Sequence, residues 1–375
     1  MAAEAGTSGA NPAVDGTAVD DAALALLTDL VAARSPSREE GPAVDVLEAW
    51  WRARMFHVER VDRNLAVVRD SGRPGPTLLL VSHTDTVPAT PAWTRDPWLP
   101  KREAGPDGGP ERLYGLGAND AKGCVAAMAE AAATAHFSRG RLVYAAVCEE
   151  EVGRGGLEIF LPRLPSPDAA IIGEPTGLEI AVAQSGLLVL DCTVHGRAGH
   201  AARPHLADNP IPRLAGDLLA LDGLTLDRIH PLAGRSTLAV TVVRAGERHN
   251  VIPDRATYTI DVRPTPAYTP EELVAIVRAT VTAEVAVRSD RFRPVATPPD
   301  ARILTCARRA HPDASTFASP TLSDWAHLGS VPAIKWGPGL SEVSHTADEW
   351  IEVAMVDRAV HAYRATIEAF LGETS

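Results

Sequence analysis

Short apolar runs alternate with helical stretches along the first half of the chain. The runs, each short enough for a buried strand, are residues 64–68, 77–82, 142–147 and 169–172. Residues 22–53, with a break at residues 35–37, and the alanine-rich stretch 120–135 have the composition of helices. Strands that alternate with helices in this way predict an α/β fold with a mostly parallel sheet flanked by helices.

The pattern changes near Gln184, where apolar and polar residues begin to alternate as they do in half-buried antiparallel strands. The alternating stretches are residues 187–194, 237–243 and 256–262, and two helical stretches in the same region are residues 210–221 and 270–286. We therefore predict an inserted α+β domain over residues 184–291, which divides the first domain into residues 21–183 and 292–375. The elements that return the chain to the first sheet are a helix at 301–310, a strand at 332–336 and a helix at 352–371.

Composition and charge exclude several classes of protein. The 375 residues are 45% hydrophobic, which is enough for two domains with sizeable cores. The net charge is −12 and no basic block is present, so we expect neither nucleic acid nor an anionic membrane as a partner. No apolar run is long enough for a transmembrane helix. Residues 1–20 lack the features of a signal peptide, and we expect them to be a disordered tail.

The four cysteines are far apart in the sequence and form no CxxC pair; they are Cys124, Cys148, Cys192 and Cys306. This spacing, with the missing signal peptide, predicts free thiols in a reducing cytoplasm. Cys148 is expected to be a small buried residue at a strand end rather than a nucleophile. The chain also lacks the Gly-x-Ser-x-Gly motif, so a serine hydrolase has no support.

Ionisable residues follow the predicted strands and turns. The set is His83, Asp85, Asp120, Glu150, Glu151, Glu174 and His345. Because ligands bind beyond the carboxyl ends of parallel strands, we predict that this set forms a metal site. Two histidines with several carboxylates suit zinc, with cobalt or manganese as substitutes. Two ions that share a carboxylate can polarise a carbonyl and lower the pKa of a water, which is the chemistry needed to hydrolyse an amide or ester.

Individual members of this set have different expected roles. Asp85 cannot face the same way as His83 on an extended strand, so we expect it to accept the second ring N–H of His83 and fix its tautomer. Asp120 is expected to open a helix, where a plain N-cap is the alternative to a bridging metal ligand. The three acids at 149–151 repel one another unless a cation neutralises them. One of them can bind a metal while its neighbour takes a proton from water.

Five motifs resemble the co-catalytic zinc family of acetylornithine deacetylase, succinyl-diaminopimelate desuccinylase, aminoacylase and glutamate carboxypeptidase. They occur in the family's order: SHTDTVP at 82–88, YGLGANDAKG at 114–123, EEEVG at 149–153, GEP at 173–175 and SHTADE at 344–349. The resemblance implies a zinc-peptidase-like catalytic domain with an inserted dimerisation (lid) domain, and two divalent metal ions, with Zn²⁺ first.

The resemblance also implies a role for each metal-site residue. Asp120 is the implied bridge between the two ions. His83 and Glu174 would complete the shell of one ion. Glu151 and His345 would complete the shell of the other.

The implied catalytic residues are Glu150, Asp85 and His200. Counting back from the glycine of EEEVG makes Glu150 the general base, while Asp85 would orient the neighbouring histidine. The family usually has Asp-Glu-Glu where this chain has three glutamates, so Glu149 remains an alternative base, one residue away. His200 belongs to the motif GRAGHAA at 196–202, which resembles the family's dimerisation motif. It is implied to reach the partner subunit's site and stabilise the oxyanion.

Substrate-binding segments are implied in the same way. Asn250, within HNVIP at 249–253, and Arg263, within DVR at 261–263, resemble the family's substrate-binding residues. Arg263 would hold the substrate α-carboxylate through two hydrogen bonds, and a surface salt bridge is the alternative for this residue. Gly337 and Gly339 resemble the loop that approaches substrate through its backbone.

These residues predict a homodimeric amidohydrolase that removes an acyl group from an N-acyl amino acid. N-acetylornithine or N-acetylcitrulline ranks first, in arginine- or lysine-type biosynthesis, because residues 184–192 and 344–349 look most like acetylornithine deacetylase-type members. Succinyl-diaminopimelate desuccinylase activity is the alternative, since a succinyl carboxylate needs a cation and several are available: Arg154, Arg197, Arg203, Arg248 and Lys335. A catalytically silent metal-binding dimer is the alternative from another class, and the presence of Glu150 and His200 argues against it.

Overall fold

A computed structural model describes residues 21–153 and 155–372. The predicted disordered tail, residues 1–20, lies outside the described residues. The strands are β1 Glu59–Val61, β2 Asn64–Asp70, β3 Thr77–His83, β4 Lys101–Glu103, β5 Arg112–Tyr114, β6 Arg141–Val147, β7 Ala169–Ile172, β8 Ile180–Gln184, β9 Leu187–His195, β10 Gly199–His200, β11 Ile229–His230, β12 Gly234–Arg235, β13 Thr237–Ala245, β14 Val251–Ile252, β15 Arg255–Arg263, β16 Glu284–Phe292, β17 Val295–Ala296, β18 Thr316–Ser319, β19 Ala333–Lys335 and β20 Trp350–Glu352. The α-helices are α1 Asp21–Ala32, α2 Gly41–Ala53, α3 Gly123–Thr134, α4 Leu157–Phe160, α5 Ile211–Asp222, α6 Pro270–Thr280, α7 Arg302–Ala310 and α8 Val353–Leu371.

The larger sheet has the strand order β1-β2-β6-β3-β7-β19-β8-β17, and β18 pairs with β8. The four central strands, β6, β3, β7 and β19, are parallel to one another, and strands in antiparallel pairs flank them. Residues of α1, α2, α3, α7 and α8 share one hydrophobic core with this sheet. The predicted α/β class is therefore confirmed.

Burial on both faces explains why the central strands are apolar without alternation. In β3, Leu78 and Leu80 belong to the large core beneath the helices. Leu79 and Val81 point the other way, into a smaller core that includes α4 and Trp325. Because neither face meets water, every position favours an apolar side chain until the strand ends. The first ionisable side chain therefore marks the carboxyl end of the strand.

A second, antiparallel sheet has the order β13-β15-β9-β16. In β9 every second residue is fully buried, from Leu188 to Val194, in a core shared with α5 and α6. This sheet lies within the segment for which an inserted domain is predicted. The predicted helix 270–286 is too long, because α6 ends at Thr280 and β16 begins at Glu284. The alternating valines of VTAEVAV at 281–287 suit a strand better than a helix.

Two further expectations concern the chain as a whole. All four cysteines are buried and free, as their spacing predicts. Burial also raises the pKa of Cys148 to about 12, so its thiol stays protonated and is a poor nucleophile. Among the described residues, no helix has both the length and the hydropathy that crossing a bilayer requires.

Candidate metal centre and active-site cleft

Three neighbouring parallel strands deliver the first members of the site. His83 is the last residue of β3, Glu150 follows β6, and Glu174 follows β7. The order β6-β3-β7 places these strands side by side, so their carboxyl ends share one edge of the sheet. Burial of this edge is deep, since His83 is 1% exposed and Glu174 is 7% exposed.

The two oxygens of Asp120 face two different histidines. Its Oδ1 lies 3.2 Å from Nε2 of His83, and its Oδ2 lies 3.7 Å from Nε2 of His345. Nε2 of His345 also lies 3.0 Å from Oε1 of Glu151. Donor atoms of His83, Asp120 and Glu151 all lie within 4.8 Å of one another. This spacing and this set of nitrogen and oxygen donors fit a divalent metal ion.

Asp120 does not begin a helix, so the prediction that it opens one is wrong. Helix α3 starts at Gly123, and Asp120 itself is extended, with φ −123° and ψ 99°. The Asp120–Ala121 peptide bond is cis. Glu349 holds this loop, because its carboxylate accepts the main-chain N–H groups of Gly117, Asn119 and Asp120 at 3.0, 2.8 and 2.9 Å. The N-cap alternative for Asp120 therefore no longer applies.

Asp85 contacts both His83 and the backbone of the acidic loop. Its side chain is fully buried, and its two oxygens accept the N–H groups of Glu150 and Glu151 at 3.1 and 3.2 Å. Its Oδ1 also lies 3.4 Å from Nδ1 of His83, and its Oδ2 accepts the hydroxyl of Ser37 at 2.8 Å. Burial alone would raise the pKa of Asp85, but its bonds with His83 and Ser37 outweigh burial and lower it. Asp85 is thus placed both to orient His83 and to fix the backbone of the acidic loop.

The structure separates Glu149 from Glu150. Arg63 donates to the carboxylate of Glu149 at 2.6 Å and to that of Glu40 at 2.7 Å. Glu150 instead lines the cleft that contains Asp120. Burial raises the pKa of Glu150 to about 8. A carboxylate held by an arginine is poorly suited to take up a proton, so the geometry favours Glu150 over Glu149 as the base.

The cleft is a cavity of about 210 Å³ with an acidic lining. Its titratable residues are Asp120, Glu150, Glu151, Glu174, Lys335 and His345. Burial raises the pKa of Glu174 to about 8, against the opposing effect of Lys335. Burial would lower the pKa of His83, but its hydrogen bonds with Asp120 and Asp85 raise it well above its usual value. Several acids in so buried a place are stable as anions only with a compensating cation, which again fits a metal site.

The residues between 184 and 291 that are implied to contact substrate do not line this cleft. His200 is exposed and pairs with Val251 across a short two-stranded ladder, which places it beside Asn250. Arg263 is exposed and forms an ion pair with Asp261 at 2.8 Å. Within the described residues of one chain, the structure therefore brings together the predicted metal ligands, Asp85 and Glu150, but not His200, Asn250 or Arg263.

Gly337 and Gly339 lie next to the cleft but are buried. Their carbonyls accept the N–H groups of Leu178 at 3.0 Å and Gly177 at 2.6 Å. A Cβ atom at position 337 would lie 2.7 Å from the carbonyl oxygen of Glu174. Gly339 also has a φ of +92°, which favours glycine. In this structure the two glycines support the loop that carries Glu174.

Some residues of the site carry no clear signal in the sequence. Glu349 lies in the same motif as His345, and this closeness in the sequence is the signal that could have identified it. Arg63 is one of many arginines and has no motif around it. Asp324 is buried beside Glu150, and burial raises its pKa to about 7.

The fold and the donor set together define an α/β protein with a site suited to a divalent metal ion. The family model of peptidase family M20/M25/M40 matches residues 79–369, and the chain therefore belongs to this family and is a metallo-amidohydrolase. The recognition of the family from its motifs is thus confirmed.

Similar proteins extend over nearly the whole chain. A succinyl-diaminopimelate desuccinylase of Methylobacterium radiotolerans is 32% identical, over 93% of this chain and 97% of its own length. An acetylornithine deacetylase of Myxococcus xanthus is 29% identical over the same shares. Among solved structures, aminopeptidase PepT of Bacillus cereus superposes with a TM-score of 0.75 at 19% identity, over 94% of this chain and 99% of its own. A Bacillus subtilis protein described as a dinuclear metal-binding peptidase gives a TM-score of 0.67 at 17% identity, over 92% and 97%. At these identities the two structures show the fold alone.

Proposed function

We propose that this chain hydrolyses the amide bond of an N-acyl amino acid and uses two divalent metal ions, with zinc as the first choice. The observation that carries the proposal is the position of Asp120. Its two oxygens face two different histidines, and the carboxylate of Glu150 lines the same cleft. A carboxylate in that position suits a bridge between two ions, and cobalt or manganese could substitute for zinc.

The proposed ligands form two sets around Asp120. His83 and Glu174 belong to the first set, and Glu151 and His345 to the second. Ions held there would polarise the scissile carbonyl and lower the pKa of a nearby water. The description of the Bacillus subtilis relative as dinuclear supports two ions rather than one.

Proton transfer is assigned to Glu150. It takes a proton from the attacking water and delivers it to the leaving nitrogen, while Asp85 keeps the acidic loop in place. His200 does not line the cleft of its own chain. We therefore propose a homodimer in which His200 donates a hydrogen bond to the oxyanion in the partner's site. Asn250 lies beside it, and Arg263 is proposed to hold the substrate α-carboxylate.

Two acyl groups are proposed. The motifs at 184–192 and 344–349 favour acetyl, on N-acetylornithine or N-acetylcitrulline. Relatives at 32% identity that are named succinyl-diaminopimelate desuccinylases favour succinyl instead. With a succinyl group, the proposed activity would belong to lysine-type rather than arginine-type biosynthesis.

A substrate screen tests the proposal. N-acetyl and N-succinyl derivatives of ornithine, citrulline, lysine and diaminopimelate are incubated with the protein in zinc, cobalt, manganese or a chelator, and free amine is measured. We expect hydrolysis with metal, none with chelator, and a rate lowered by about 10²- to 10⁴-fold for Glu150→Gln. Two bound ions without hydrolysis of any of these amides would favour the silent metal-binding alternative.

A further inference from the structure

Lys335 is a buried cation at the metal cleft. It is the last residue of β19 and pairs with Ile172 of β7, the strand that leads to Glu174. The side chain is 3% exposed, and Lys335 lines the cleft together with the acidic residues. A lysine is rarely buried to this degree without a partner for its charge.

The partners of Lys335 are neutral. Its Nζ donates to the hydroxyl of Thr321 at 2.8 Å and lies 3.4 Å from the carbonyl oxygens of Thr321 and Leu322. Over residues 21–153 and 155–372 the structure shows no ion pair that involves Lys335. The charge of Lys335 also acts on Glu174, whose pKa it lowers against the effect of burial.

The other two lysines of the chain have structural roles. Lys101 is exposed and pairs with Glu103 at 2.6 Å. Lys122 is buried, and its ammonium caps carbonyl groups at the end of α1, with bonds of 2.8 Å to Leu30 and 3.0 Å to Ala33. Lys335 differs from both because it lines a cavity.

Metal loading would weaken the attraction between Lys335 and the acids of the cleft, and this step rests on the proposed function. The carboxylates that line the cleft together with Lys335 are Asp120, Glu150, Glu151 and Glu174, and metal ions bound there would compete with Lys335 for their charge. Glu174 would then be neutralised by its metal rather than by Lys335. A buried ammonium without a counter-charge is costly, so an anionic ligand would be favoured beside it.

Space for such a ligand is present. Thr321 and Lys335 line both the metal cleft and an adjoining cavity of about 330 Å³. Three of the other cations considered for a succinyl carboxylate do not line the cleft; they are Arg197, Arg203 and Arg248, which belong to the segment 184–291. The fourth, Arg154, lies outside the described residues.

We infer that Lys335 and the hydroxyl of Thr321 bind a carboxylate of the substrate and select for N-acyl amino acids that carry one near the scissile amide. The carboxylate belongs either to the acyl group, as in a succinyl amide, or to the leaving amino acid. Both sources offer the same recognition chemistry: two oxygens that accept from an ammonium and a hydroxyl.

Steady-state kinetics with matched substrates tests the inference and separates the two sources. One pair compares an N-succinyl amino acid with its uncharged succinamyl analogue. The other compares the free α-carboxylate of the leaving amino acid with its carboxamide. For Lys335→Met we expect kcat/KM to fall by about 10- to 150-fold on the substrate whose carboxylate is bound, the equivalent of a lost charge-assisted hydrogen bond. The uncharged partner of that pair should change little.

Further variants control for a purely structural effect. Lys335→Arg should keep part of the preference, Thr321→Val should lose part of it, and Lys101→Met, the same change at an exposed pair, should have no effect. Metal content and thermal midpoint are measured for each. An equal fall on charged and uncharged substrates in both pairs, or no fall at all, would overturn the inference.

A binding measurement keeps the test independent of hydrolysis. Calorimetry on metal-loaded protein should show that succinate binds more tightly than succinamate, and that Lys335→Met removes this difference if the acyl carboxylate is bound. If instead the carboxylate of the leaving amino acid is bound, a free amino acid should bind more tightly than its amide, and Lys335→Met should remove this difference. If no amide is hydrolysed but binding still depends on Lys335, the proposed function fails and the carboxylate site stands. If amides are hydrolysed but substitution of Lys335 changes neither hydrolysis nor binding, the proposed function stands and the carboxylate site fails.

Discussion

Glu349 offers the sharpest test of how the protein positions its bridging ligand. Its carboxylate is 1% exposed and accepts three main-chain N–H groups of the loop that contains Asp120. In Glu349→Gln, Oε1 can still serve Asn119 and Asp120. The new amide nitrogen, however, faces the N–H of Gly117, which was 3.0 Å from Oε2. One buried donor then has no acceptor.

The expected loss has two parts. An unsatisfied buried donor costs about 1–3 kcal/mol, which should lower the midpoint of urea unfolding in the presence of chelator. Displacement of Asp120 should also weaken metal binding by about 10- to 100-fold, the usual effect of altering a group that orients a ligand. With saturating zinc the variant should therefore lose a further 1.4 to 2.7 kcal/mol, approximately, relative to the parent protein.

Urea unfolding with chelator and with zinc measures the first part, and competition with a chromophoric chelator measures the second. Glu352→Gln, the same change in the same segment but outside the Asp120 loop, is the matched control. If Glu349→Gln lowers stability equally in chelator and zinc and leaves metal affinity intact, Glu349 stabilises the loop without positioning Asp120, and the reasoning fails.

Other predictions concern the acids and the histidine. Glu150→Gln should keep its metal but lose about 10²- to 10⁴-fold in kcat, whereas Glu149→Gln should affect stability more than kcat; the opposite result would move the base to Glu149. Because burial raises the pKa of Glu150 and Glu174 to about 8 from 4.5, the folded protein retains protons that the unfolded chain has released. The metal-free protein should therefore lose stability as the pH rises from about 5 to about 8, and zinc should weaken this trend; thermal midpoints that rise over this range without metal would contradict it. Mixing Glu150→Ala with His200→Ala subunits should restore about one quarter of wild-type activity if the site is shared, and no recovery after confirmed exchange would place His200 within its own chain.

The sequence was most informative where burial leaves little freedom. Six residues before His83 are apolar or small because β3 is covered on both faces, so the end of the strand could be recognised from the first ionisable side chain. The same reasoning places Glu174 after β7. Parallel neighbours then bring these strand ends together, and a metal site follows from the residue types alone.

Contacts between residues that are far apart in the sequence could not be predicted in this way. Asp120 and Glu349 are 229 residues apart, and Arg63 and Glu149 are 86 residues apart. No local period encodes either pair, so the support of the acidic loop and the true start of α3 were missed. The overlong helix after Pro270 has another cause. The alternating valines of residues 281–287 already favoured a strand, and residues 284–287 pair with β9 in the structure.

The segment that contains the second sheet is connected to the larger sheet at a single place. The chain departs after Gln184 and returns at Val295, and these two residues are direct antiparallel partners. Residues 185–294 are therefore, in topological terms, one very long hairpin loop. A two-residue turn could close the same ladder. A single insertion or deletion in a gene could add or remove the whole segment that carries His200 without rerouting any other strand. The segment is thus covalently joined to the larger sheet only at the adjacent ends of β8 and β17.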